Sequence, residues 1–172
     1  MSFKQFLPIP IGIAFLAAAL MVIDLAKPPF LLTWITFQAW AMYFLAGCTL
    51  QGAAKVMLGY LGGAVASMAI ILLAGVFAPL GQLGLPLAVF IVVIFVICAE
   101  RVPWFDFVPS WFVGAGVFFG LVTHFTFAEG TTLAGKFGLS TAYLMVSCLV
   151  GMVFGYVTVQ GRGRYEASLA TD

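Results

Sequence analysis

Between residues 7 and 160 the chain alternates long apolar runs with short joins, and the runs are long enough to be read as helices. Six can be delimited: 7–26, 31–49, 56–78, 83–99, 108–127 and 137–160. Each is close to the about 20 residues that an α-helix needs to cross the hydrocarbon of a bilayer. Proline and glycine punctuate the joins, as Pro28-Pro29, Gln51-Gly52, Pro79 with Gly81 and Gly84, Pro103, and Gly130 with Gly135. Stretches such as Phe90-Ile-Val-Val-Ile-Phe-Val-Ile-Cys98 are apolar at every position. A membrane β-barrel instead alternates apolar and polar residues along each strand, so the pattern predicts a helical bundle. Hydrophilic character returns only after Gln160, which predicts one transmembrane domain over 1–160 and a short cytoplasmic tail over 161–172.

Two of the runs read as copies. Pro10 to Asp24 and Pro86 to Glu100 are uncharged stretches opened by proline and closed by a carboxylate, with the same spacing in both. Each is followed by a proline (Pro28, Pro103), then by Trp-x-x-Phe (Trp34 to Phe37, Trp104 to Phe107), and later by Ala-Ala-Lys55 or Ala-Gly-Lys136. This divides the chain into repeat A, 7–78, and repeat B, 83–160, of three spans each. A unit with an odd number of spans enters its second copy from the opposite side of the membrane. The expected fold is therefore an all-α integral membrane protein of six transmembrane helices arranged as two inverted three-helix repeats. In membrane proteins such repeats accompany transport, with the solute site where the halves meet.

Composition supports the membrane reading. Hydrophobic residues make up 64% of the 172 residues and charged residues 8%, with a mean hydropathy of +1.18. Soluble domains carry roughly 25% charged residues, so this chain cannot clothe a water-facing exterior. Positive charges then orient it. Lys4, Lys55, Arg101, Arg162 and Arg164 fall on one side of six spans, and Lys27 and Lys136 on the other. The positive-inside bias places both termini in the cytoplasm. Lys4 ahead of an apolar run with Ala17-Ala-Ala imitates a secretory signal, but Pro8 and Pro10 interrupt it and the first span is read as retained. Cys48, Cys98 and Cys148 lie within or at the ends of spans without paired-cysteine spacing, so neither a disulfide nor a metal–thiolate site is expected.

The residues also resemble a known family. Trp34-x-x-Phe37 with Tyr43-Phe44, Phe107-Val-Pro109 leading to Phe112-Val-Gly-Ala115, and Gly151-x-x-Phe-Gly-Tyr156 look like the uncharacterised bacterial inner-membrane proteins catalogued as domain of unknown function 1097. The resemblance implies a bacterial inner (cytoplasmic) membrane location and no assigned chemistry. Ala39 stands where the resemblance leads us to expect glycine.

Polar groups inside the spans are few, and each is a functional candidate. Thr36, Trp40, Tyr43 and Gly47 share one helical face of the second span, with Gln38 off that face. Ser110, Gly114 and Val117 share a face of the fifth, with Trp111 beside it. The solute-path candidates are therefore Thr36, Gln38, Trp40, Tyr43, Ser110, Trp111, Gly114 and His124, the last as a titratable gate. Simple packing competes with that reading for Trp40, Tyr43 and Trp111, and interfacial placement competes for Trp34, Trp104 and His124. Asp24, Lys55, Glu100 and Lys136 mark helix ends. Asp24 with Lys27 and Glu100 with Arg101 read as local charge pairs, and the two lysines as headgroup anchors.

No phosphate loop or nucleophile motif occurs, so enzymatic and ATP-driven functions are not expected, nor are a cofactor, a metal or a nucleic-acid partner. The expected partners are the lipid bilayer and a small-molecule solute. Glycines at close helical spacing lead us to expect a homo-oligomer. An aromatic, nearly charge-free path suits a small neutral or weakly ionised solute of the urea, short-amide or weak-acid class, carried by a channel or facilitator. The alternatives are a proton- or ion-coupled secondary transporter and a non-transporting scaffold or accessory subunit.

Overall fold

A computed structural model describes residues 2–28 and 30–170. Pro29 of the first join and residues 171–172 of the tail lie outside the described residues. A short helix, α1 (Phe3–Phe6), leads into α2 (Pro8–Leu25), followed by α3 (Thr33–Leu45), α4 (Leu50–Val76), α5 (Gly84–Cys98), α6 (Val108–His124) and α7 (Leu133–Leu169), with no strand among the described residues. The six long helices stand where the six apolar runs place them. Among the described residues four segments are long and apolar enough to cross a membrane: Phe3–Leu25, Leu50–Val76, Ala78–Arg101 and Leu133–Leu169. The protein is thus membrane-embedded and all-α. The 13 residues of α3 and the 17 of α6 are shorter. At 1.5 Å per residue they reach about 20 Å and about 26 Å, less than a hydrocarbon core of about 30 Å.

Helix caps account for where the boundaries differ from the apolar pattern. Thr49 accepts a 2.9 Å hydrogen bond from the Gly52 amide, so Gln51 and Gly52 form the first turn of α4 rather than a join. Thr132 does the same for Gly135 at 3.1 Å and starts α7 four residues earlier than the apolar run suggests. In both, the threonine oxygen satisfies one of the amides that a helix N-terminus leaves unpaired. The tail expected after Gln160 continues as helix to Leu169. Arg162 and Glu166 pair along it at 2.8 Å, and the Tyr165 hydroxyl donates to the Gln5 carbonyl at 2.8 Å, tying it to the N-terminal segment. At the other extreme α3 stops at Leu45, because Gly47 (φ 87°) and Cys48 (φ 58°) turn the chain through left-handed conformations that no helix continues.

Two seams dominate the packing, α4 on α6 and α3 on α7. In lipid no hydrophobic force drives one helix against another, so small residues that admit backbone contact decide the seams. A Cβ at Gly63 would meet the Trp111 carbonyl and stand 2.5 Å from the Ala115 amide nitrogen. A Cβ at Gly151 would stand 2.6 Å from the Thr36 carbonyl and 2.9 Å from the Trp40 amide nitrogen. Each glycine of a long helix therefore nests between a carbonyl and the amide four residues later on a short helix. Gly114 lies on the Tyr60 backbone and Gly155 under the Tyr43 ring. Paired helices run in the same direction, since Gly59 meets Ser110 as Gly63 meets Gly114, and Ala39 meets Gly151 as Tyr43 meets Gly155. Ala39 fills the place expected of glycine with its methyl group directly against Gly151, so the close approach survives because the glycine is on the other helix.

Buried spacing matches as well. Ile35, Ala39, Met42 and Tyr43 of α3 repeat the steps of Ser110, Gly114, Val117 and Phe118 of α6. Val56, Gly59, Tyr60, Gly63 and Ala64 of α4 repeat those of Leu144, Ser147, Cys148, Gly151 and Met152 of α7. The Trp-x-x-Phe motifs do not share this register. Trp34 is the second residue of α3, whereas Trp104 lies in the connection before α6 with φ 76°, because the α5–α6 connection is longer than the α2–α3 one.

Candidate functional site

Most of the expected path residues lie inside the two seams and bond locally. Thr36 is fully buried and donates to the Leu32 carbonyl at 3.2 Å. Tyr43 is buried over Gly155 and donates to the Cys48 carbonyl at 3.0 Å. Ser110, pressed against Gly59, donates to the Phe107 carbonyl at 2.8 Å. The Trp111 ring covers Gly62, and its indole nitrogen donates to the Phe105 carbonyl at 3.1 Å. Gly114 carries the close approach to Tyr60. These faces are the ones read from the periodicity, and they point at neighbouring helices. A hydroxyl already bonded within its own helix turn has little left to offer a solute.

Trp40 differs. It is 4% exposed, stacked on Phe37 at 6.0 Å and edge-on to Phe154 of α7 at 5.6 Å, and its indole nitrogen has no acceptor among the described residues. Three further buried polar atoms lack partners there: Thr33 Oγ1, the Tyr60 hydroxyl and Ser140 Oγ. Tyr60 shares one buried cluster with Cys148 and Leu144 of α7. Ser140 lies two turns before Ser147 on the same face of α7, and Ser147 Oγ accepts the Leu32 amide at 2.8 Å, next to Thr33. Trp40, Tyr60 and Ser140 thus lie on the faces by which α3 and α4 meet α7, and Thr33 opens α3 beside the Leu32–Ser147 bond. Of these residues only Trp40 was singled out from the sequence. Thr33, Tyr60 and Ser140 were missed, although Ser140, Ser147, Gly151, Gly155 and Thr158 form a small and polar stripe at helical spacing that was there to be read.

Gln38 and His124 lie elsewhere. Gln38 is exposed and lines a groove of about 530 Å³ between α3 and α6, with Trp34, Met42, Val113 and Gly116. His124 is exposed at the last residue of α6. A second groove of about 620 Å³, between α4 and α5, is lined by apolar side chains with Trp111 at its edge.

The helix-end charges correct one expectation. Among the described residues the ion pairs are Lys55–Asp106 at 2.7 Å and Arg162–Glu166, so Asp24 does not pair with Lys27, nor Glu100 with Arg101. Asp24 is half-buried near the end of α2, and Glu100 and Arg101 are exposed in the turn that follows α5. Lys55 instead reaches the α5–α6 connection. Its hydrogen bond holds the Asp106 carboxyl below the ordinary carboxylate range, against a weaker upward push from desolvation. Lys136 stands over the Phe127 ring, 5.8 Å from its centre. The two lysines sit at different distances from their capping threonines and so meet different neighbours.

With the geometry in view, comparison with known families matches residues 9–161 to the family described as "Protein of unknown function (DUF1097)". The chain belongs to that family. No curated protein and no solved structure matches the chain. Family membership covers all six long helices except the ends of α2 and α7 and leaves the chemistry to the residues.

Proposed function

We propose that this protein is a passive facilitator in the bacterial inner membrane for a small neutral or weakly ionised solute of the urea, short-amide or weak-acid class. It comprises two inverted three-helix repeats, 7–78 and 83–160, with both termini in the cytoplasm. The matched crossings at Gly63 and Gly151 support the repeat, as does the parallel course of α3 with α7 and of α4 with α6, because alternating spans give second and sixth, and third and fifth, the same direction.

One observation carries the reading: Thr33 Oγ1, Trp40 Nε1, the Tyr60 hydroxyl and Ser140 Oγ are buried without partners among the described residues, where the halves meet. In hydrocarbon each such atom costs energy comparable to a lost hydrogen bond. A solute with carbonyl and N–H or O–H groups would satisfy them in turn as it passed between the halves. The packed arrangement is then the closed state of that path, and Trp40 with its aromatic neighbours is its wall. The charged or titratable groups Asp24, Glu100 and His124 stand at or just beyond helix ends and none is among the four buried atoms, which favours passive over proton-coupled movement.

The test is shrinkage and reswelling of proteoliposomes with a panel of urea, formamide, acetamide, acetate and glycerol. At least one solute is expected to pass several-fold faster than through protein-free vesicles. Tyr60→Phe and Trp40→Phe are expected to slow it while the protein stays folded. If no solute exceeds the empty vesicles, the reading fails, and the scaffold alternative gains from the tightness of the two seams.

A further inference from the structure

We propose that the groove between α3 and α6 seats a second copy of this chain, across a twofold axis along the membrane normal, with the two Gln38 side chains hydrogen-bonded to each other. The Gln38 amide is exposed in this groove and makes no hydrogen bond among the described residues. It is the sixth of the 13 residues of α3 and shares the groove with Val113 and Gly116 in the central turns of α6, so it stands within the apolar length of both helices rather than at their ends. Lipid tails offer it neither donor nor acceptor. A polar side chain stranded at that depth is expected to find a protein partner. A primary amide carries both a carbonyl and an N–H, so an identical amide is its full complement. A twofold axis along the membrane normal sets the two copies of Gln38 at equal depth.

The glycines of α6 supply a second, independent observation. Gly114 is consumed by the contact with Tyr60, but a Cβ at Gly116 or Gly120 would meet nothing within 4 Å. These two, one turn apart on the groove side, have no packing role in the monomer. They leave α6 smooth where another helix could approach closely. No charged residue lines the groove among the described residues, so two copies can face each other there without like-charge repulsion. A lipid acyl chain could fill the same space but would leave the amide unpaired. The inference does not depend on which solute the protein carries, or on whether it carries one.

The experiment measures association of the full chain in liposomes by energy transfer between donor- and acceptor-labelled copies, as lipid is added to dilute the protein. The wild type is expected to associate as a dimer. Gln38→Leu is expected to weaken the dimer about tenfold by removing the interhelical hydrogen bonds. Gly116→Leu is expected to weaken it further by filling the groove, and Gly75→Leu, at an open position on α4, to leave it unchanged. A photocrosslinking residue at Ala41 is expected to trap α3 or α6 of the second copy. Transfer that is unaffected by both groove substitutions would overturn the proposal, as would a monomer at every dilution or crosslinks to lipid alone.

Discussion

The two repeated apolar helices, α2 and α5, share one pattern, an uncharged run opened by proline and followed by a carboxylate, and end in different surroundings. Ala88, Val92 and Val96 of α5 pack into a cluster with Ala66 and Ile70 of α4. Along α2 only Ile9 and Leu20 are buried, and 11% of the apolar window of its segment is buried, against 22% for the segment that contains α5. The difference lies in the face each helix is offered. With Gly63 and Gly151 taken as equivalent points, α4 presents Gly62, Ala66 and Ala69 where α7 presents Val150, Phe154 and Val157. Small residues let α5 nest, and bulkier ones hold α2 off. A uniformly apolar helix specifies that it belongs in lipid; its partner specifies where it docks.

The largest effect that could break this comparison is at the crossings themselves. Gly63→Val and Gly151→Val each drive a branched side chain into backbone, and each is expected to cost about 3 kcal/mol of unfolding free energy in detergent or lipid. A large loss at one crossing and none at the other would mean that the two seams are not equivalent. A smaller contrast is expected between α5 and α2. Ala88→Leu, at a fully buried position, is expected to cost about 1–3 kcal/mol, whereas Gly12→Leu, where an added Cβ meets nothing, is expected to stay within about 0.5 kcal/mol of wild type. Equal costs would show that α2 is seated as firmly as α5.

Tyr60→Phe separates packing from function at the meeting of the halves. Deleting a hydroxyl that has no partner is expected to raise stability by about 1 kcal/mol. Permeation through the proteoliposome should fall in the same variant. A stability loss would mean that the hydroxyl is bonded in the resting protein. The smallest effect is expected at the Lys55–Asp106 pair. Because the folded state lowers the Asp106 pKa, its contribution is present above the ordinary carboxylate range and is lost as the pH falls through the lowered value. Asp106→Asn is therefore expected to remove a small stability difference between neutral and acidic pH, measured as the shift in thermal midpoint.

The apolar runs made all six helices and both buried faces of α3 and α6 legible, because a span must be apolar over its length and the small polar exceptions fall at helical spacing. Ends were less legible. Thr49 and Thr132 move two starts upstream through a single capping bond each, a local effect that hydropathy does not register. The site was read only in part. Trp40 stood out as an aromatic deep in a span, but Thr36, Tyr43 and Ser110 turned out to be spent on backbone carbonyls of their own segments. Tyr60 and Ser140 gained significance only from having no such carbonyl to bond, which depends on rotamers and neighbours that spacing does not encode. The proximity of Lys55 to Asp106 is likewise tertiary, linking residues 51 positions apart.

The proposed opposed orientation of the halves is the premise of the proposed path. Single cysteines placed at Lys55 and Lys136, in a background lacking the native cysteines, can be labelled in intact cells with a reagent that does not cross the membrane. Position 136 is expected to label from outside, and position 55 only after the cells are opened. Labelling of both positions from the same side would contradict the inverted arrangement.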